Sequence, residues 1–586
     1  MLAAPRNLLT EWARLVAASL VASGVHDVIV SPGSRSTPFV LALRARSELR
    51  LVSVIDERSA AFVALGIGRA TGRAAAVLAT SGTAPAHWVP AVIEASLARV
   101  PLVLLSANRP LALANAGAAQ TIDQTKLFGG WVRLFADLGD PRAEQSALEG
   151  VVRTIAQAVA MAHEPLAGPV HVDLHADKPL EPVVPVTDAE HELTASASAI
   201  VKRGVPSITA APRSHDEVFA RALASALTSA QRPLVVVGPR SALGDRDAVH
   251  DALARLDLIV CAEASSQLRF GPRRTRALDA SEVLFASSRF ANEHAPDLVL
   301  QIGALPTAPS LERAWQRASR FILDAGGFHD PIGGAAAISL GPAGATMTRV
   351  AELAGETSSR DDAWRTGLLH AEAIAWAEVE RSLSSARGEG ACVRAAARAS
   401  GAASLVIGNS LAIRTLDRFV PGGGVARRVF SQRGANGIDG LVSGAIGVAL
   451  AGDRPVLAVV GDVSFLHDAN ALGVMRSVQS PLVVVVVDNG GGRIFESLPI
   501  AGQPELAEAM TLFTTPHDVD LSALTRAFGV RCVDAVDATE TAHAVTSAIE
   551  SPGASIVRVR VLPREARDAF ESLVTSFEHA FYGGRR

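Results

Sequence analysis

Two apolar runs constrain the fold of this chain most: VLAVV before Gly461 and LVVVVV before Asp488. Neither alternates with polar residues. Each therefore reads as a strand buried on both faces, the pattern of a parallel sheet covered by helices. Each run also ends in oxygen-bearing residues and glycine: Gly461-Asp462 in the first, Asp488-Asn489-Gly490 in the second. In open α/β sheets, ligands bind beyond the carboxyl ends of the strands. Asp462 and Asn489 are thus placed to converge on one ligand. A hard cation suits them, since Mg2+ takes oxygen ligands and shares them with phosphates. Ordinary strand-end turns would use the same residues, because Asp and Asn favour turns.

The same alternation of strand and helix runs through the chain. In the first part, strand-like runs are VIVS, LVSVI, AAVLAT, PLVLLSA and PVHVDL, with helical stretches such as ERSAAFVALGIGRATG between them. The fold class is α/β, with three doubly wound parallel-sheet domains. They span residues 1–185, 216–355 and 356–586. The Ser/Ala/Thr-rich stretch 186–215, which follows KPLEPVVPV, has linker composition. The run SPGASIVRVRV late in the third segment echoes AGPVHVDL late in the first, which suggests two related domains.

Composition excludes more than it assigns. With 586 residues, one core is too few. A net charge of −4 gives no basic footprint for nucleic acid. Cys261, Cys392 and Cys532 are far apart and show no CxxC spacing, which fits a reducing cytoplasm. The N-terminal stretch is broken by Glu11, Trp12 and Arg14, so it reads as an amphipathic helix rather than a signal peptide. No apolar run is long enough to span a membrane. A cytoplasmic location is expected.

Several further constellations carry chemistry. Glu57 follows a strand and opens a helix; it is either a proton-transfer carboxylate or a charge that complements the helix dipole. The TSGTAP turn contains Ser81, and SQRGANGIDG, which contains Gly437, leads into an Ala/Gly-rich helix able to pack closely. With GDVSF (Asp462, Ser464) and the DN pair, these motifs in this order resemble the thiamine diphosphate enzymes. SPGSRSTPFVLAL, DERSAAFVALGIGRATG, LLSANRP, GAAQTIDQ, GNSLAIR, SQRGANGIDG and DNGGGRIF narrow the resemblance. Together they are similar to the 2-succinyl-5-enolpyruvyl-6-hydroxy-3-cyclohexene-1-carboxylate (SEPHCHC) synthase family of menaquinone and phylloquinone biosynthesis.

That resemblance implies a reaction: 2-oxoglutarate is decarboxylated on thiamine diphosphate and its succinyl unit adds to isochorismate. Both substrates carry two carboxylates, which call for fixed cations, preferably Arg. The matching motifs supply Arg35, Arg109, Arg414 and Arg433, with Ser34, Gln120, Asn409 and Ser410 as neutral partners. Each arginine alone could equally be a solvated surface charge. The resemblance gives Glu57 the aminopyrimidine ring of the cofactor. It gives Asp462, Asn489 and the Gly491 carbonyl Mg2+ (or Mn2+) against the diphosphate, with Ser81, Gly437 and Ser464 also on the cofactor. Ile494 and Phe495 would pack near the thiazolium. Ser410 and Arg414 would take the distal carboxylate of 2-oxoglutarate. Arg35, Arg109, Gln120 and Arg433 would take isochorismate. It further implies a homodimer or homotetramer whose active sites lie between subunits, with Glu57 and Asp462 from different chains.

Two positions depart from the family pattern. Asp488 stands where Asn is expected. In GALPTAPSLERAW, Pro309 and Ser310 occupy a region where a basic residue is expected, with Arg313 or Arg269 as the nearest substitutes. The central segment lacks a clear GxGxxG, so no FAD or NAD is expected there. An acetohydroxyacid-synthase-like enzyme, or another thiamine-diphosphate-dependent 2-oxoacid decarboxylase or carboligase, would share Glu57 and the metal motif. The arginines distinguish it, because a small neutral acceptor needs no such set of cations.

Overall fold

A computed structural model describes residues 5–241, 244–354, 360–452, 454–563 and 565–583. The chain ends at 1 and 586 and the expected domain boundary at 355/356 lie outside the described residues. Contacts divide the chain into two units. One comprises Met1–Ala211, Gln432–Gly452 and Asp468–Val478; the other comprises Pro212–Ser431, Asp453–His467 and Gln479–Arg586.

The first unit holds one six-stranded parallel sheet. Its strands are β1 (Asp27–Val30), β2 (Arg50–Ser53), β3 (Ala75–Ala79), β4 (Leu102–Asn108), β5 (Phe135–Asp137) and β6 (Pro169–His175), in the order β2-β1-β3-β4-β6-β5. On one face Val103, Leu105 and Ala107 of β4 meet Val170, Val172 and Leu174 of β6 in a core, and the other face buries Ile29, Val77, Leu102 and Leu104. The alternate residues of those strands turn to the other face, because strand side chains have a period of two. The helix Glu57–Thr71 packs against Leu441–Ala451 through glycines: a Cβ on Gly66 would lie 2.2 Å from the Gly444 carbonyl oxygen. The stretch read as linker is partly helical. Asp188–Arg203 starts in a capping box between Thr187 and Glu190 and buries Leu193, Ala197 and Ile200. Composition hid this helix, because its apolar residues are few and spaced by a turn.

The second unit holds two six-stranded parallel sheets. The central one contains β7 (Pro233–Val237), β8 (Ile259–Ala262), β9 (Arg276–Ala277), β10 (Leu298–Ile302), β11 (Ser319–Leu323) and β12 (Ala337–Ser339). Its order, β9-β8-β7-β10-β11-β12, is that of doubly wound nucleotide-binding sheets. At the switch point beyond β7 and β10 the chain meets itself: a Cβ on Gly238 would fall 2.1 Å from the Ala304 carbonyl oxygen. The last sheet contains β13 (Ser404–Ile407), β14 (Val429–Ser431), β15 (Val456–Gly461), β16 (Leu482–Asp488), β17 (Arg531–Ala535) and β18 (Ala554–Arg560). Its order, β14-β13-β15-β16-β18-β17, repeats that of the first sheet strand for strand. The two echoing segments are β6 and β18, which hold the same place in the two sheets. No helix among the described residues is long and apolar enough to cross a membrane.

Candidate active site

In the first unit, the candidate residues gather beyond the carboxyl ends of β1, β3 and β4. Arg35 is buried, donates from Nη1 to the Ala176 carbonyl at 2.7 Å, and donates from its backbone N to Thr80 Oγ1 at 3.2 Å. Burial, and then the positive charge of Arg109, lower its pKa, while Asp177 acts the other way. The Nε atoms of both Arg35 and Arg109 are buried with no hydrogen-bond partner. Two guanidiniums in mutual repulsion, each with an unused donor, are chemically matched to an anion. Ser34, beside Arg35, is exposed. Ser81 Oγ donates to the Gln120 carbonyl at 3.0 Å, and Gln120 Nε2 donates back to the Ser81 carbonyl at 3.2 Å. The structure thus brings together Ser81 and Gln120, which the sequence reading had assigned to different ligands. Gln120 has a φ of +56°, a left-handed conformation this reciprocal pair helps to hold.

Glu57 is half-buried at the first position of its helix; Asp56, not Glu57, caps that helix by accepting from Ser59 N at 3.1 Å. The turn that carries Arg433 is clasped by buried Glu94. Its carboxylate accepts from Gly434 N at 3.1 Å, Ala435 N at 2.7 Å and Arg69 at 2.7 Å. Glycine is required later in that turn: Gly440 has a φ of +64°, and a Cβ there would lie 2.0 Å from the ring of Phe62. Gly437 lies half-buried in the same turn. Buried Asp468 accepts from Ser443 N at 2.7 Å and Ser443 Oγ at 2.9 Å at the start of the next helix. Burial pushes its pKa up to about 6.

In the second unit, Asp462 and Asn489 are both buried, beyond the ends of neighbouring strands β15 and β16. Asp462 Oδ2 accepts from Gly491 N at 2.9 Å, and Oδ1 accepts from Val463 N at 2.7 Å. Burial raises the Asp462 pKa against these two bonds and the nearby His517. Asn489 Oδ1 is a buried acceptor with no donor. An orphaned acceptor at a strand end beside a carboxylate-bearing turn suits a cation. Gly491 has a φ of +138°, and a Cβ there would meet the Thr514 carbonyl at 2.4 Å. Ser464 is buried in the short helix Asp462–His467.

The sequence reading missed one neighbour, His517. His517 Nε2 lies 3.3 Å from Asp462 Oδ2, and Asp462, Asp488 and His517 bring their ligand atoms within 4.8 Å of one another. His517 sits in TTPHDVD, which carries no apolar run or glycine turn to single it out. Ile494 and Phe495 lie on the 3-10 turn Arg493–Ser497, Ile494 half-buried and Phe495 exposed, with the Phe495 ring 6.1 Å from that of Phe513. Asn409 is buried, and Ser410 caps the helix Leu411–Phe419 with a φ of +67° and a ψ of −127°. That strained backbone places the Ser410 hydroxyl at a helix start, where the dipole favours an anion. Arg414 Nη1 donates to the Ser410 carbonyl at 2.7 Å, which ties the arginine to the same turn.

The departure at Pro309 is clearer in three dimensions. Ser310 is buried in the short helix Pro309–Ala314. Arg269 is spent on structure: its Nη1 donates to the carbonyls of Ala262 and Asp279, and its Nη2 to those of Asp417 and Val420. It is not a substitute for the missing cation. Arg313 is exposed.

Comparison with known proteins identifies two cofactor-binding regions in the chain. Residues 10–127 match the N-terminal TPP binding domain of thiamine pyrophosphate enzymes, and residues 424–559 match the C-terminal TPP binding domain. The chain is 39% identical over 581 residues to the 2-succinyl-5-enolpyruvyl-6-hydroxy-3-cyclohexene-1-carboxylate synthase of Sorangium cellulosum, covering 95% of this chain and 94% of that one. It is 38% identical over 580 residues to the synthase of the same name from Myxococcus xanthus, covering 95% of each. Among solved structures, benzoylformate decarboxylase from Polynucleobacter necessarius has the same fold, with a TM-score of 0.67 and 16% identity over 94% of this chain and 98% of the other.

Proposed function

The chain belongs to the SEPHCHC synthase family of thiamine-diphosphate-dependent transferases, and from that premise we propose that it joins 2-oxoglutarate to isochorismate with loss of CO2, in menaquinone biosynthesis. Thiamine diphosphate, when bound, supplies the electron sink that decarboxylation of a 2-oxo acid needs. The residues fit that group: the orphaned Asn489 Oδ1, the Asp462 carboxylate and the Gly491 turn offer oxygen ligands. Asp462, Asn489 and the Gly491 carbonyl would hold Mg2+ or Mn2+ against the diphosphate, with Ser81, Gly437 and Ser464 as further cofactor contacts. Ile494 and Phe495 offer it an apolar surface.

Glu57, at a helix start where negative charge is favoured, would hold a proton on the aminopyrimidine ring. Ser410 and Arg414 would grip the distal carboxylate of 2-oxoglutarate, and Asn409 would support them. Ser34, Arg35, Arg109, Gln120 and Arg433 would bind and orient isochorismate. One observation carries the substrate reading: Arg35 and Arg109 lie close enough for the charge of one to disfavour the charge of the other. A carboxylate between them would offset that repulsion, which a neutral acceptor would not.

Neither unit carries the full set of residues. Glu57 and the isochorismate arginines are on the first, and the metal ligands and Arg414 on the second. The family resemblance, rather than this division, carries the reading that the enzyme is at least a homodimer with sites between subunits. We place it in the cytoplasm and divide it into domains 1–185, 216–355 and 356–586. The test is an assay with Mg2+, thiamine diphosphate and 2-oxoglutarate, with and without isochorismate. Isochorismate-dependent CO2 release, with an adduct that retains the succinyl carbons, is expected. Decarboxylation indifferent to isochorismate would move the enzyme to another 2-oxoacid decarboxylase.

A further inference from the structure

The polar face of β6 in the first sheet carries a buried network that no role above uses. Parallel register sets Ser106 of β4 and Asp137 of β5 beside Asp173 of β6, and Asn108 beside His175. Asp173 is only 2% exposed. Its Oδ1 accepts from Ser106 Oγ at 2.8 Å and Gln124 Nε2 at 2.9 Å; its Oδ2 accepts from Asn108 Nδ2 at 2.7 Å. Asp137, Asp173 and His175 bring their ligand atoms within 4.8 Å of one another, as metal ligands do. However, three neutral donors already occupy both oxygens of Asp173, and an ion would have to displace them.

The donors share a second property: they bracket the loop that bears Arg109 and Gln120. Asn108 also accepts from Arg109 N at 2.8 Å through Oδ1, so one side chain links Asp173 to the backbone of Arg109. Gln124 lies shortly after Gln120 in the same loop. Between them, Leu111 N donates to Asp140 Oδ1 at 3.1 Å, and the same oxygen lies 3.2 Å from His175 Nδ1. The loop is thus held at its start and its end by the buried Asp173, and near its first turn by the more exposed Asp140.

We propose that Asp173 is a positioning residue for the acceptor substrate, acting through Asn108 and Gln124 to fix Arg109 and Gln120. The proposal rests on the assignment of that loop to isochorismate. A carboxylate is required because all three partners donate; an amide in its place would face at least one donor with another. Since 1 Å of displacement in a binding group is costly, loosening the loop weakens acceptor binding without touching the cofactor.

The experiment compares Asp173→Asn, the swap Asn108→Asp/Asp173→Asn, and Arg109→Gln. All are measured as holoenzyme for kcat, both KM values and melting temperature. Asp173→Asn should raise the isochorismate KM about tenfold and leave the 2-oxoglutarate KM within about twofold. The swap restores a donor facing an acceptor and should recover most of the lost affinity. An unchanged isochorismate KM in Asp173→Asn overturns the proposal. So does a loss in which both KM values, kcat and melting temperature move together and the swap rescues nothing, since that marks a purely structural residue. Arg109→Gln tests the underlying assignment: if it spares the isochorismate KM, the loop does not bind isochorismate and the proposal falls with it. If it raises that KM while Asp173→Asn does not, only the role of Asp173 falls.

Discussion

Asp488 and Arg558 form a buried two-pronged ion pair: Arg558 Nε donates to Asp488 Oδ2 at 2.7 Å, and Nη2 lies 2.6 Å from the same oxygen. The side chains are 10% and 7% exposed. This pair accounts for the carboxylate that stands where the family pattern has an amide. Asp488 sets a second carboxylate beside Asp462 and His517. Arg558, on the neighbouring strand β18, neutralises it, and Asp520 and Asp534 lie 3.4 and 3.7 Å from its Nη1.

Removing one partner of such a pair leaves an uncompensated buried charge. Arg558→Met should therefore destabilise the protein by about 3 kcal/mol, more than Asp488→Asn does. The double variant should lie closer to wild type than the sum of the two singles. Chemical denaturation of the four proteins measures this coupling; strict additivity would mean the pair is not an interacting unit.

Central strands were legible in the sequence because burial on both faces writes itself as an apolar run. Every strand the sequence reading missed, β5, β9, β12, β14 and β17, lies at the edge of its sheet. Such strands are short and mostly half-open to solvent, as in the burial of Arg531–Ala535, so no apolar run marks them. The site was legible where a residue sits in a glycine turn after a central strand, as Asp462 and Asn489 do. It was not legible where the function of a residue is to hold another. Glu94 clasps the Arg433 turn from a distant helix, and only the fold brings them together. The alternation of His171, Asp173 and His175 was a visible signal of a polar strand face, masked by the apolar residues between them.

The metal ligands make a direct prediction about cofactor binding. Asp462→Ala should abolish Mg2+-dependent thiamine diphosphate binding, followed by fluorescence titration, while melting temperature in the absence of cofactor changes little. Asn489→Ala should weaken binding less, because Asn489 contributes a neutral oxygen. Unchanged affinity in Asp462→Ala would put the metal elsewhere.

A site shared between subunits predicts complementation. Glu57→Gln and Asp462→Ala homodimers should each be nearly inactive. After mixing and re-equilibration, half the dimers carry both chains, and each has one intact site and one doubly altered site. Activity should return to about a quarter of wild type, the statistical value for a twofold-symmetric dimer. No recovery, with exchange verified by mass, would place both residues in a site within one chain.

Two histidines on the polar face of β6 should shape stability with opposite signs. Burial beside Phe128 and Phe135 pushes the His171 pKa down to about 4. For His175, burial alone would lower the pKa, but hydrogen bonds and charge from Asp137 and Asp173 outweigh it and raise it to about 10. An unfolded histidine titrates near about 6.5. The folded state therefore favours neutral His171, whose contribution is present above that pH and lost as pH falls toward 4. It also favours charged His175, whose contribution is present below that pH and lost as pH rises toward 10. The His171 contribution amounts to about 3 kcal/mol at most. Stability against pH, measured for wild type, His171→Gln and His175→Gln, separates the two. His171→Gln should flatten only the acid limb, and His175→Gln only the alkaline limb. If each variant merely lowered the whole curve by a constant, the two rings would be packing groups whose titration is not linked to folding.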